Sequence, residues 1–140
     1  MEKELAKSRG LELIKRSKIA IVGSLDAHGY PVTKAMFNAK HDGLREVWFS
    51  TNTSSKRVGG FRTDRRASVY YVDEDTFEGL LLVGTIELLQ DEESRRMLWV
   101  DGCEKYYPQG VYDPDYTVMK FTAVRGNYYH GLRNIDFEVR

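Results

Sequence analysis

The fold is indicated first by residues 19–37, which read IAIVGSLDAHGYPVTKAMF. Residues 19–25 are apolar almost throughout, a pattern typical of a strand that is covered on both faces. Residues 26–29, Asp-Ala-His-Gly, favour a turn because Gly29 can adopt a positive φ. Pro31 suits the start of the next strand, where its missing N–H removes least from the hydrogen-bond ladder. The pattern therefore predicts two short strands joined by a tight turn, and the second strand is predicted from Pro31 to about Ala39.

Further strands and helices follow with short connections. An imperfect amphipathic pattern predicts a helix over residues 2–17, and shorter helices are predicted over 54–64 and 91–100. Gly84 lies inside a long apolar segment, as expected at a β-bulge or at a barrel corner. Six or seven strands joined mainly by turns predict an α+β fold with an antiparallel barrel, because closing the sheet removes its exposed edges. The additional strands are predicted at 46–51, 67–73, 79–89, 117–125 and 127–132, with Gly126 separating the last two.

A possible anion site begins in residues 47–57, which read VWFSTNTSSKR. The N–H groups at the start of a helix and the helix dipole attract an anion, and Lys56 and Arg57 add full charges. The serine and threonine hydroxyls can donate further hydrogen bonds. This stretch predicts a phosphate site. The alternative is an ordinary helix whose N-cap is Ser54 or Ser55 and whose two cations lie in water.

The composition describes a globular protein with a single domain over residues 1–140. Hydrophobic residues make up 41% of the chain and charged residues 30%, which argues against disorder. Lysine and arginine number 21, as do aspartate and glutamate, so the basic excess usual for nucleic-acid binding is missing. No apolar segment is long enough to span a bilayer, and the charged N-terminus lacks the apolar run of a signal peptide. A cytoplasmic protein without nucleic-acid or membrane partners is expected.

Side chains that could bind a metal or act as a nucleophile are scattered. His28, His41 and His130 show no metal-ligand spacing, so no metal site is predicted. Cys103 is the only cysteine and has no histidine near it in the sequence. A free, partly buried thiol is therefore expected, and no catalytic residue can be named from these patterns.

Five short segments together carry a family resemblance. They are GYPVTKAM (29–36), WFSTN (48–52), SKR (55–57), ASVYY (67–71) and VGTIE (83–87). In this order and spacing they resemble the pyridoxamine 5′-phosphate oxidase-like split barrels that bind flavin mononucleotide (FMN), and among these the short general stress protein branch. The likeness extends from about residue 11 to 129.

The resemblance implies a six- to seven-stranded antiparallel split β-barrel with flanking helices, which binds FMN at the interface of a homodimer. Part of the site would lie along one strand beside the isoalloxazine and the ribityl chain, mainly through the backbone. The rest would face the FMN phosphate. The strand residues are Lys34, Ala35 and Met36, and the phosphate residues are Ser50, Thr51, Ser55, Lys56 and Arg57.

Lys34 has two possible roles under this resemblance. It could lie near the flavin N1–C2 carbonyl and stabilise negative charge on the reduced ring, or it could be a solvated strand lysine. The family's own substrate residues are missing. Ala39 stands where pyridoxamine phosphate oxidases carry a lysine, and Gly79 stands in place of a glutamine. Residues 136–140, DFEVR, do not form the family's C-terminal motif, in which an arginine and a histidine bind the pyridoxal ring and phosphate. Vitamin B6 oxidase activity is therefore not expected, although the fold and the flavin site can persist without it.

The function implied is a flavin-dependent oxidoreductase that uses FMN, in preference to FAD or a deazaflavin, with NAD(P)H as the electron donor. One alternative is a general stress protein that binds flavin without turnover, since the same phosphate site would serve both functions. Another is a haem-binding split barrel, which is disfavoured because none of the three histidines is a convincing axial ligand.

Overall fold

Three segments form helices in the computed structural model, which describes residues 2–139. They are α1 (Lys3–Arg16), α2 (Lys56–Thr63) and α3 (Glu92–Leu98). Helix α1 buries Ala6, Leu13 and Ile14, the apolar side of its amphipathic pattern. Helix α3 begins after Asp91, whose carboxylate accepts a hydrogen bond from the N–H of Ser94 at 3.0 Å. All three predicted helices are confirmed.

Eight strands form one antiparallel sheet. They are β1 (Ile19–Leu25), β2 (Pro31–Phe37), β3 (Lys40–Asp42), β4 (Glu46–Asn52), β5 (Arg66–Asp73), β6 (Glu78–Leu89), β7 (Tyr116–His130) and β8 (Arg133–Glu138). The strand order is β2-β1-β5-β6-β7-β4-β3, and β8 pairs with β7. The predicted strand–turn–strand unit is confirmed as the β1–β2 hairpin, although β2 ends at Phe37, two residues before the predicted end of the strand.

The sheet differs from the sequence-based expectation near its C-terminal end. Gly126 does not separate two strands, because β7 continues through it. The ring of Phe137, on β8, packs against this glycine, and a Cβ added there would lie 2.7 Å from the ring carbons. Gly126 therefore serves close packing and not a turn. Strands β3 and β8 were not predicted from the sequence; β3 has only three residues, too few for a periodic pattern.

Of the two alternatives predicted at Gly84, the structure shows the bulge. The β6–β7 register shifts between Val83 and Gly84, and a Cβ on Gly84 would collide with the carbonyl of Thr122. Such a bulge bends the strand and increases its twist, which helps the sheet to curl.

The sheet curls into a split barrel around one hydrophobic core. Strand β2 contacts β4 without pairing to it, so the barrel is open between these two strands. Side chains from α1 and from the interior faces of the strands fill the core, among them Leu13, Val22, Phe49, Tyr71 and Phe121. In residues 2–139, no helix has both the length and the apolar composition needed to cross a membrane.

Candidate functional site

The N-terminus of α2 is capped by Ser55, as one of the alternative interpretations predicted. Its hydroxyl accepts a hydrogen bond from the N–H of Val58 at 3.3 Å, and its carbonyl accepts from the N–H of Gly59 at 3.4 Å. The N–H groups of Lys56 and Arg57 come before the first helical hydrogen bonds and have no acceptor within residues 2–139. A capped helix and an anion site are therefore compatible at this position, since two donors stay free.

Arg57 extends from the first turn of α2 back to β4. Its Nη2 donates a hydrogen bond to the hydroxyl of Thr51 at 2.9 Å, and Thr51 is buried. The Nε of Arg57 is also buried, yet it has no hydrogen-bond partner among the described residues. Because a buried donor without an acceptor costs free energy, this geometry suits a ligand oxygen beside the guanidinium.

The two hydroxyl residues predicted on β4 lie on opposite faces of the strand. Burial alternates along β4, so Thr51 faces the barrel interior and Ser50 faces outward. Ser50 lies beside Tyr116; burial raises the pKa of this tyrosine, and a hydrogen bond from Ser50 partly opposes the shift. The structure thus brings Thr51 to Arg57 and places Ser50 in a separate, aromatic environment.

Strand β2 presents the other predicted residues. Met36 lies opposite Ala20 and is buried. Lys34 lies opposite Val22, on the same face of the strand as Met36, but its side chain is exposed to solvent. Ala35 is on the outer face. Because β2 pairs only with β1, its other edge carries unpaired backbone N–H and C=O groups beside the opening of the barrel.

Asp115 is a site residue that the sequence analysis missed. Its carboxylate accepts a hydrogen bond from the N–H of Ser54 at 2.8 Å, directly before the α2 cap. The two residues are 61 positions apart, so no sequence pattern could have connected them. A separate groove of about 510 Å³ is lined by residues of β1, β2, β5, β6 and β7, and none of the eight predicted residues lines it.

Comparison with known proteins identifies the family of this chain. The family model for pyridoxamine 5′-phosphate oxidase matches residues 7–130. No curated protein matches the sequence. A solved structure from Clostridium acetobutylicum, described as a protein related to general stress protein 26 of Bacillus subtilis in the pyridoxinephosphate oxidase family, is 48% identical. Its TM-score is 0.87, and the match covers 99% of this chain and 97% of that one.

Two more distant structures share the fold. General stress protein 26 from Bacillus anthracis is 13% identical with a TM-score of 0.79, over 95% of this chain and 98% of that one. A haem-binding protein from Mycobacterium smegmatis is 17% identical with a TM-score of 0.77, over 99% of this chain and 59% of that one. With the family-model match and the Clostridium relative, the conclusion is that this chain belongs to the pyridoxamine 5′-phosphate oxidase family, in its general stress protein branch.

Proposed function

We propose that this chain binds FMN between two copies of itself and acts as a flavin-dependent oxidoreductase. The observation that carries the proposal is the buried Nε of Arg57, which has no hydrogen-bond partner among residues 2–139; the backbone N–H groups of Lys56 and Arg57 likewise have no acceptor within that range. These donors belong to the first two residues of α2, at the positive end of its dipole, and Lys56 adds an exposed ammonium. A phosphate monoester matches this set because it offers several acceptor oxygens and a double negative charge.

The free edge of β2 supports the flavin part of the proposal. An extended edge presents alternating donors and acceptors, which suits the pyrimidine edge of an isoalloxazine. The buried side chain of Met36 anchors the strand, while Lys34 projects from its interior side beside the barrel opening. Lys34 would then hold a positive charge near the ring system, where reduced flavin is negative.

The outer face of the barrel supports the homodimer. Phe37 on β2 is 76% exposed, Val72 on β5 is 50% exposed and Ile19 on β1 is 42% exposed. These apolar side chains share one face of neighbouring strands, and a continuous exposed apolar patch is typical of a protein interface. We propose a second copy as the partner, so that the cofactor lies where the two barrels meet.

The proposed chemistry is electron transfer, which FMN supplies when it is bound. The protein would bind the phosphate, orient the ring along β2 and keep a cation near it. NAD(P)H is the proposed electron donor. A vitamin B6 substrate is not proposed, because Ala39 replaces the family lysine and the ring of Tyr70 lies over Gly79, where a glutamine side chain would collide with it.

An absorption spectrum of the purified protein, followed by thermal unfolding with FMN, tests the proposal. FMN at about a hundred times its Kd should stabilise the protein by about 2.7 kcal/mol, which raises Tm by several degrees. A colourless protein whose Tm does not change with FMN would overturn the proposal.

Anaerobic addition of NADPH to the FMN complex tests the oxidoreductase part. Bleaching of the flavin absorbance supports electron transfer. Binding without bleaching by NADPH or NADH would instead indicate a flavin-binding stress protein. A Soret band on haem titration, without FMN binding, would favour haem, the ligand named for the structural neighbour from Mycobacterium smegmatis.

A further inference from the structure

The loop that precedes α2 is held by a segment far along the chain. The N–H of Ser54 donates to Oδ1 of Asp115 at 2.8 Å, and the N–H of Thr53 donates to the Asp115 carbonyl at 2.7 Å. The hydroxyl of Thr53 donates to the carbonyl of Pro114 at 3.0 Å. Two consecutive loop residues are thereby bonded to the two residues that precede β7.

Asp115 is itself held in place by a buried carboxylate. Asp113 is 5% exposed, and its two oxygens accept hydrogen bonds from the N–H of Asp115 at 2.9 Å and the N–H of Gln109 at 3.1 Å. The turn before β7 is therefore closed independently of the loop that it contacts. The carboxylate of Asp115 reaches Ser54 from a position that other hydrogen bonds have already set.

A chain of hydrogen bonds secures the other side of the loop. The hydroxyl oxygens of Thr53 and Thr117 are 2.6 Å apart, and Nε2 of Gln90 lies 3.1 Å from the Thr117 hydroxyl. Because Thr53 gives its single hydroxyl proton to Pro114, Thr117 donates to Thr53 and accepts from Gln90. Hydrogen bonds therefore fix the backbone and the side chain of Thr53 and the backbone of Ser54. Ser55, the N-cap of α2, is the next residue in the chain.

We propose that Asp115 is a positioning residue for the anion site at α2, an inference that rests on the proposed function. By binding the Ser54 N–H, Asp115 sets where Ser55 starts the helix and therefore where the free N–H groups of Lys56 and Arg57 point. It also occupies the Ser54 N–H, so a ligand receives only the two amides of the first turn together with the Arg57 guanidinium.

The charge of Asp115 gives the proposal a sharp test. A carboxylate near an anion site repels the anion, so its removal alone would tighten phosphate binding. Its positioning role predicts the reverse, because losing the acceptor frees Ser54 and the start of α2. Asp115→Asn separates the two effects, since the amide is neutral but keeps an oxygen that can accept from Ser54.

The experiment measures FMN Kd and dissociation rate for Asp115→Ala, Asp115→Asn and a matched control. The control is Asp91→Ala, which removes a carboxylate that accepts one backbone N–H at another helix, α3. We expect Asp115→Ala to weaken FMN binding about 10-fold through faster dissociation, Asp115→Asn to stay within about 3-fold of wild type, and Asp91→Ala to lower Tm without changing Kd. Unchanged or tighter binding by Asp115→Ala would overturn the proposal.

A second measurement keeps Asp115 testable if the wild type does not bind FMN. In that case the proposed function fails, and inorganic phosphate is titrated into ¹⁵N-labelled ligand-free protein while the N–H resonances of Lys56 and Arg57 are followed. Shifts in the wild type that are lost in Asp115→Ala and restored in Asp115→Asn support the positioning role. Equal shifts in all three proteins, or none in the wild type, would refute it.

Discussion

The phenolic hydroxyl of Tyr128 donates a hydrogen bond to the carboxylate of Glu78. The other oxygen of this carboxylate accepts from Nη2 of Arg16 at 3.0 Å, and Nε of Arg16 donates to Asp73 at 3.0 Å. These bonds fasten the last turn of α1 to β5, β6 and β7. Burial, together with the hydrogen bond to Glu78, raises the pKa of Tyr128 to about 12.

Stability should decrease in acid through this network. Burial opposes the charge of Glu78, but hydrogen bonds from Tyr128 and Thr76 and the charge of Arg16 bring its pKa below the ordinary 4.5. A hydrogen bond from Arg16, opposed by burial, lowers the pKa of Asp73 below the ordinary 3.8. Since the unfolded state binds these protons more tightly, the stabilisation is complete above the ordinary pKa values and is lost as pH falls below them. Urea unfolding at about pH 7, 5, 4 and 3 measures the decrease.

Arg16→Gln identifies the source of that decrease. The variant should lose about 0.5–1 kcal/mol at neutral pH and show a shallower decline in acid, since its carboxylates have lost their cation. Lys15→Gln is the control, because it removes a neighbouring exposed ion pair with Glu12 on α1 alone. An acid decline as steep in Arg16→Gln as in the wild type would assign the pH dependence to other groups.

Arg57→Ala should weaken FMN binding by about 10- to 100-fold, the range expected when a charge-assisted hydrogen bond is lost. The FMN affinity of Arg57→Lys should lie between those of Arg57→Ala and the wild type. A lysine keeps the charge, but it lacks the forked guanidinium that can contact Thr51 and a phosphate oxygen at the same time. Arg62→Ala, an exposed cation in the last turn of the same helix, should leave the affinity unchanged. Isothermal titration calorimetry gives the three Kd values, and an unaffected Arg57→Ala would contradict the proposed phosphate site.

Gly126→Ala should destabilise the protein by about 1–3 kcal/mol, because the new methyl group would overpack against the ring of Phe137. Gly59→Ala provides the contrast. Gly59 lies in α2 with no atom within 4 Å of an added Cβ, so alanine should stabilise by about 0.5–1 kcal/mol. Denaturant midpoints compare the two. Adding Phe137→Leu should recover part of the loss at Gly126, and no recovery would indicate a different cause of the instability.

Phe37→Glu should produce a folded monomer with weaker FMN binding, because a charge would be placed in the proposed apolar interface. Sedimentation velocity gives the oligomeric state and circular dichroism checks the fold. Leu5→Glu, on the exposed side of α1, is the control and should leave the assembly as in the wild type. If the Phe37→Glu protein sediments like the wild type, Phe37 does not lie in the dimer interface and this part of the proposal is wrong.

One part of the site was predicted from local sequence rules, and a second part was predictable from them although it was not predicted. The Ser55 cap and the two cations after it are adjacent in sequence, so the start of α2 could be predicted. The sequence also allowed the prediction that Ser50 and Thr51 lie on opposite faces of β4, because neighbouring residues of a strand point to opposite sides. The family resemblance grouped them at one phosphate, whereas the structure shows only Thr51 in contact with Arg57.

The sequence by itself determined the α+β class, the β1–β2 hairpin and the beginning of α2, and it limited Gly84 to a bulge or a barrel corner, because each depends on residues close together along the chain. Only the tertiary structure decided that β7 runs through Gly126, that the Arg57 Nε has no partner among the described residues, and that Asp115 binds the Ser54 N–H. These features come from contacts between segments far apart in sequence. Their pairing depends on how the curled sheet brings strand ends together, which no local pattern encodes.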